Sequence, residues 1–174
     1  MAPEEDEQVR IGQLQLLRGV HPFYADMDFQ SFCIALKGWE VEDVNVTVDE
    51  YIVEAKKKWD TSLSFVAKRN AYRVVLKFIG DPCRRVKFSD LVGIETDDAI
   101  LPDGRALSQI DIREFEEVFS CKLTRNEIPD RQIEGLGHWS CADDLASMLV
   151  FEYEGLVTGI GVYRDPGAVN QSGV

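Results

Sequence analysis

Only two histidines, His21 and His138, occur in the 174 residues, and the four cysteines, Cys33, Cys83, Cys121 and Cys141, form no Cys-x-x-Cys pair. A structural zinc site wants four ligands, commonly as two close pairs. His138 and Cys141 make one loose pair and the second is missing, so no metal is expected, and no cofactor is implied. There is no glycine-rich phosphate loop and no Gly-x-Ser-x-Gly elbow, the usual marks of phosphate cradling and of a serine hydrolase. No apolar run approaches the roughly 18 residues of a membrane span. The opening "MAPEEDEQ" is acidic and polar, where a secretory signal is basic and then apolar. These absences predict a cytoplasmic protein without a membrane segment and with reduced thiols, each cysteine reading as a small buried hydrophobe.

What the chain has in excess is negative charge, a net of −12. Such a chain repels a phosphate backbone, which disfavours nucleic acid as a partner. The charge is unevenly placed. Residues 56–87 hold ten cations (Lys56, Lys57, Lys58, Lys68, Arg69, Arg73, Lys77, Arg84, Arg85 and Lys87) against Asp60 and Asp81, a local net of +8. From Phe88 onward six cations face seventeen acids, a net of −11. Aromatics are interleaved with the basic run, at Trp59, Phe65, Tyr72 and Phe78. Phe65, Tyr72 and Phe78 fall on the apolar face of their strands, where they cannot stack on bases.

A chain of this length buries about 70% of its extended surface, enough for a core without staples. Residues 1–8 read as a flexible acidic tail, 9–164 as one globular domain and 165–174 as a flexible, turn-rich tail; no internal repeat is visible. Period-two alternation runs through residues 30–80: "SFCIALK", "VNVTV", "YIVEA", "SLSFVA" and "YRVVLKF". Short connections, among them Asp49-Glu50, make this an antiparallel meander. Pro102-Asp103-Gly104 marks a turn. Ile112, Phe115, Val118 and Phe119 recur at helical spacing, predicting a helix from Gln109 to Cys121 with Ser108 and Asp111 as its capping box. Leu149, Phe151 and Tyr153 share one face of a further strand, Glu154-Gly155 turns, and 157–163 return. Residues 9–20 fit strand or helix. The fold class that follows is α+β: a mostly antiparallel sheet with one or two helices packed on one face.

The stretch "GLGHWSCADD", Gly135 to Asp144, is the densest in chemistry. Ser140 and Asp143 suit a helix N-terminus, with Cys141 in the first turn and Trp139 packed inward. Exposed amides there lower a thiol's pKa, so Cys141 with His138 or His21 as base is the catalytic candidate of a thiol-dependent hydrolase or transferase. The acids Glu95, Asp97, Asp98 and Asp103 do not match the twelve-residue calcium loop, which has alternating acids, a central glycine and a final glutamate.

The favoured reading is an interaction module or inhibitor, not an enzyme. An acidic surface of the C-terminal half docks a cationic protein partner, through Glu95, Asp97, Asp98, Glu114, Glu116, Glu117, Asp143 and Asp144. Concentrated like charge speeds encounter with an opposite patch and rejects wrong partners. In charge and size alone, the chain resembles small acidic inhibitors, including bacterial immunity proteins that neutralise cationic nuclease toxins. Nothing in the sequence sets an oligomeric state.

Overall fold

Two amphipathic meanders, each led by a short helix, account for the architecture. The computed structural model describes residues 9–49, 60–80, 91–126 and 135–164. Strands β1 (Leu14–Gln15), β2 (Gly19–Val20) and β3 (Phe23–Tyr24) form a small antiparallel sheet. Helix α1 (Phe29–Ala35) precedes the first meander, β4 (Glu40–Asp49), β5 (Asp60–Arg69), β6 (Tyr72–Gly80) and β7 (Leu91–Thr96). A 3-10 turn (Leu107–Gln109) leads into helix α2 (Ile112–Phe119) and the second meander, β8 (Thr124–Arg125), β9 (Leu136–Ala142), β10 (Ala146–Tyr153) and β11 (Leu156–Arg164). The protein is α+β, mostly antiparallel sheet.

Strands β4 to β11 make one sheet in the order β4-β5-β6-β7-β11-β10-β9-β8. Each half therefore runs helix then four strands, and the last strands of the halves meet at a central seam. There Ile94 pairs with Val162 and Glu95 with Gly161. The duplication is topological, with no matching repeat in the sequence. In both seam strands the register shifts by a residue. A bulge turns residues three apart onto one face. Leu91 with Ile94, and Val157 with Ile160, all point into the core.

The core lies on one face of this sheet. Leu76 and Phe78 of β6 and Met148 and Val150 of β10 are buried in the same cluster as Phe32 of α1, Phe115 of α2 and Phe23 of the small sheet. Phe32 meets Phe78 edge-on at 4.8 Å between ring centroids, and Phe23 meets Trp39 edge-on at 5.0 Å. Such pairs add roughly 0.5–1.5 kcal/mol beyond their area burial.

The structure revises several local expectations. "SFCIALK" is largely helix, because Asp28 accepts the Ser31 N–H at 2.7 Å and so caps a helix start. Phe32 and Leu36, four apart, then face inward while Ile34 is left 60% exposed. Helix α2 begins at Ile112 rather than Gln109, since Asp111 is its cap and Glu114 completes the box; Ser108 sits in the 3-10 turn. Ser120 ends the helix in the left-handed region at φ +47°, so Cys121 lies beyond it. On β10, Leu149, Phe151 and Tyr153 share one face as expected, and it is the face opposite the buried Met148 and Val150. The ambiguous N-terminal stretch supplies short strands. The predicted tails, the "YIVEA" strand, the Asp49-Glu50 connection from Glu50 on, Trp59, Cys83 and the cations Lys56, Lys57, Lys58, Arg84, Arg85 and Lys87 lie outside the described residues.

Gly19 and Gly155 separate two reasons for a positive φ. A Cβ at Gly19 (φ +154°) would lie 2.2 Å from the Phe23 carbonyl oxygen and 2.8 Å from Ile94 Cδ1, whereas one at Gly155 (φ +88°) meets nothing within 4 Å. Gly155→Ala is expected to cost only backbone strain, about 1 kcal/mol, and Gly19→Ala strain plus overpacking, about 3 kcal/mol or more. Urea unfolding midpoints of the two variants measure the difference.

Candidate functional site

Strand alternation sends every second side chain to the face away from the core. Among the described residues no helix covers that face. Val66 of β5, Arg73, Val75 and Lys77 of β6, Glu95 of β7 and Phe151 of β10 project there. Between them β11 contributes Gly159 and Gly161, so the sheet is bare along its seam.

One end of this bare strip is filled. A Cβ at Gly161 would lie 2.6 Å from Tyr163 Oη, and one at Gly93 would lie 3.2 Å from the Tyr163 ring. The ring thus lies over both glycines. Its hydroxyl donates to Glu95 Oε1, which also accepts from Lys77 Nζ at 2.9 Å. Burial, and then the hydrogen bond to Glu95 and its charge, push the Tyr163 phenol well above its ordinary range.

The other end is open. Above Gly159 is a cleft of about 390 Å³, walled by Val66, Val75 and Phe151 and rimmed by Arg73, Glu95 and Asp97. Across Asp97 it adjoins a second groove of about 510 Å³, lined by Asp98, Ser108, Tyr153, Glu154, Leu156 and Thr158 among others. Tyr153 and Leu156 are 45% and 49% exposed. They flank the Glu154-Gly155 turn, whose two positive φ angles (+50° and +88°) fit a tight hairpin.

The acids expected to form one patch occupy three places. Glu95, Asp97 and Asp98 border the cleft and groove. Glu114, Glu116 and Glu117 lie on α2, where Arg105 meets Glu114 at 2.8 Å, Arg113 meets Glu117 at 3.3 Å, and Glu116 accepts the Leu123 N–H at 2.8 Å. Asp143 and Asp144 lie in the β9–β10 turn, at the opposite end of the sheet from the Glu154 turn. The Asp143 carboxylate accepts from Leu145 N and Ala146 N, both at 2.8 Å, and these bonds hold its pKa below the usual range. Nor do the hairpin cations leave the acids alone. Lys77 is paired with Glu95, and Arg73 lies 3.2 Å from Glu42 while its backbone N–H donates to Asp98 at 3.3 Å. Sheet order causes this, because the basic strand β6 is the direct neighbour of the acidic β7. Asp97, Asp144 and Glu154 make no ion pair with a described residue.

"GLGHWSCADD" is a strand running into a turn, not a helix start. Asp143 caps a β-turn, and Cys141 is the penultimate residue of β9. Cys141 and His138, an odd number of residues apart, point to opposite faces. Cys141 and Trp139 pack against the core. His138 lies on the open face, edge-on to Phe151 at 5.1 Å, with Nδ1 3.0 Å from Asn126 Nδ2. Asn126 Oδ1 accepts from Ser140 Oγ at 3.2 Å. His21 is bonded to the Tyr24 hydroxyl, and burial lowers its pKa. Among the described residues neither histidine is bonded to a thiol. Burial, with Cys121 and Asp143 adding to it, pushes the Cys141 thiol up to about 11. Among the described residues no three His, Cys, Asp or Glu side chains are placed to hold a metal ion, and no helix is long and apolar enough to cross a membrane.

Lys77, Phe151, Tyr153, Glu154, Gly159 and Tyr163 belong to this surface, and none of them is a candidate site residue in the sequence reading. The signal available was Gly159-Ile160-Gly161, two glycines at strand period around a core residue. No protein-family model, curated protein or solved structure matches this chain, so its function is read from this surface.

Two measurements follow. With iodoacetamide near neutral pH, exposed Cys33 is expected to be alkylated while Cys141 stays unmodified until the chain unfolds; site-resolved mass spectrometry that finds Cys141 labelled first would reverse this. The second concerns Tyr163. An acid whose folded pKa is raised stabilises fully below its unfolded value, near 10 for tyrosine, and loses that stabilisation as pH rises above it. Urea stability of the native chain should therefore fall from about pH 9 upward, more steeply than that of Tyr163→Phe.

Proposed function

We propose that the protein is an interaction module that docks a cationic protein partner in the groove bordered by Asp97, Asp98 and Glu154, as an inhibitor of a basic enzyme would. The observation that supports it most is the occurrence, in one concavity, of carboxylates that make no ion pair with a described residue beside the exposed apolar side chains Tyr153 and Leu156. Interfaces favour aromatic anchors at the centre and polar groups at the rim. Lysine and arginine stems lie along apolar surface while their heads reach carboxylates. The same carboxylates repel nucleic-acid and lipid phosphates. A thiol-dependent reaction finds no comparable support, because Cys141 is turned toward the core and lacks a base.

Calorimetric titration with a decalysine peptide tests the reading. Affinity should drop steeply between about 50 and 200 mM salt, as counterion screening requires. Asp97→Lys/Glu154→Lys should weaken binding about thirtyfold, in line with lost and reversed rim charges of about 1 kcal/mol each. Glu117→Lys, on α2, should change it little. Binding indifferent to salt and to the double reversal would end the proposal.

A further inference from the structure

We infer that the cleft above Gly159 is an anchor pocket for one arginine side chain of the cationic partner, an inference that rests on the docking surface proposed above and adds its specificity. The argument begins with the glycine itself. At Gly161 the Tyr163 ring leaves no room for a side chain. At Gly159 φ lies outside the left-handed region, and the atoms nearest a Cβ would be the Thr96 oxygen at 3.5 Å and Asp97 Cβ and Cα at 3.8 and 4.0 Å, ordinary contacts. Glycine inside a strand weakens it. Nothing in the local backbone requires glycine here, and what its missing side chain creates is the cleft.

The cleft's walls and charge define the occupant. Val66 faces Val75, Val75 faces Glu95 and Glu95 faces Gly161 in register; two residues along β11, Gly159 faces Phe151. The flanks are apolar. Arg73 on the rim is turned to Glu42, and Glu95 is already engaged by Lys77 and Tyr163. Asp97 remains, one carboxylate without a described ion pair at the edge of an apolar cleft. Charge complementarity calls for a single cation on an apolar stem. Between the two side chains of that kind, the guanidinium is planar, weakly hydrated and stacks on aromatic faces, which suits Phe151; the ammonium of lysine holds its water more strongly. The cleft continues into the acidic groove at Asp97, so a chain lying in the groove can turn one side chain into it.

The test uses the full chain and a peptide of alternating lysine and serine with one central position varied as arginine, lysine, citrulline or norleucine. Citrulline keeps the shape of arginine without its charge. The arginine peptide is expected to bind about tenfold more tightly than the citrulline peptide, the scale of one charged hydrogen bond, with lysine between them. Gly159→Leu, which fills the cleft, should erase the arginine advantage yet leave salt-sensitive binding of the all-lysine peptide intact. Val66→Phe, narrowing the cleft from the opposite wall, should do the same if the first variant folds poorly. Equal affinity for arginine and citrulline on the native chain, or an arginine advantage that survives both substitutions, overturns the pocket while the docking surface stands. Failure of every peptide to bind the native chain overturns the docking surface as well.

Discussion

The antiparallel pairing of β7 with β11 holds the two halves of the molecule in one sheet. Each meander alone would end in an apolar strand with an unpaired edge, a form that invites association with other chains. Joined, the two edges satisfy each other's backbone groups. Ile94 and Val162 are buried beneath the seam, and Tyr163 crosses it above to reach Glu95. The glycines at 93 and 161 are the condition for that crossing, since a methyl group at Gly161 would occupy the ring's position. The open cleft is the continuation of the same bare strip, so the surface proposed for docking is a direct result of how the halves meet.

Charge follows from topology rather than from totals. The basic hairpin and the acidic second half look separable in the linear chain, but sheet order sets Lys77 beside Glu95 and Arg73 beside Asp98. Surface pairs of this kind are worth little in stability, about 0–1 kcal/mol. Their consequence is one of distribution, since they cancel part of the field along β6 and β7 while Asp97 and Glu154 at the groove, and Asp144 at the far end of the sheet, make no ion pair with a described residue. A few carboxylates without ion pairs among the described residues, next to exposed apolar side chains, discriminate better than a diffuse negative surface, because a partner must match both features at once.

Local patterns disclosed local structure. Leu63, Phe65 and Ala67, and Val74, Leu76 and Phe78, occupy the inner face that period two assigns them, and the turns at Gly104 and Glu154-Gly155 fall at the expected residues, each with a positive φ. Where two structures share one local chemistry, the sequence left the choice open. Phe32, Ile34 and Leu36 alternate as a strand would, yet Phe32 and Leu36 are also one helical turn apart, and the Asp28 cap decided. Asp143 accepts two N–H groups, at positions two and three further on, as a helix cap and an Asx-type turn both do; only the long-range pairing of β9 with β10 distinguishes them. The seam and the cleft depend on contacts between residues more than sixty positions apart, which no local period encodes.

Gly159 and Gly161 show how alike two residues can be in sequence and how different in role. Both lie in β11 and both face away from the core. Gly161 is held by sterics, because the ring that closes the seam takes its space. Gly159 is under no such constraint, and a larger residue there would add β-propensity and cover apolar surface on Val75 and Phe151. A chain selected for stability alone has reason to fill that position. Leaving it bare exposes apolar walls beside a carboxylate that makes no ion pair with a described residue, a combination that is favourable when a ligand of matching shape and charge lies over it. The physical case for a binding surface rests on that asymmetry between two glycines two residues apart.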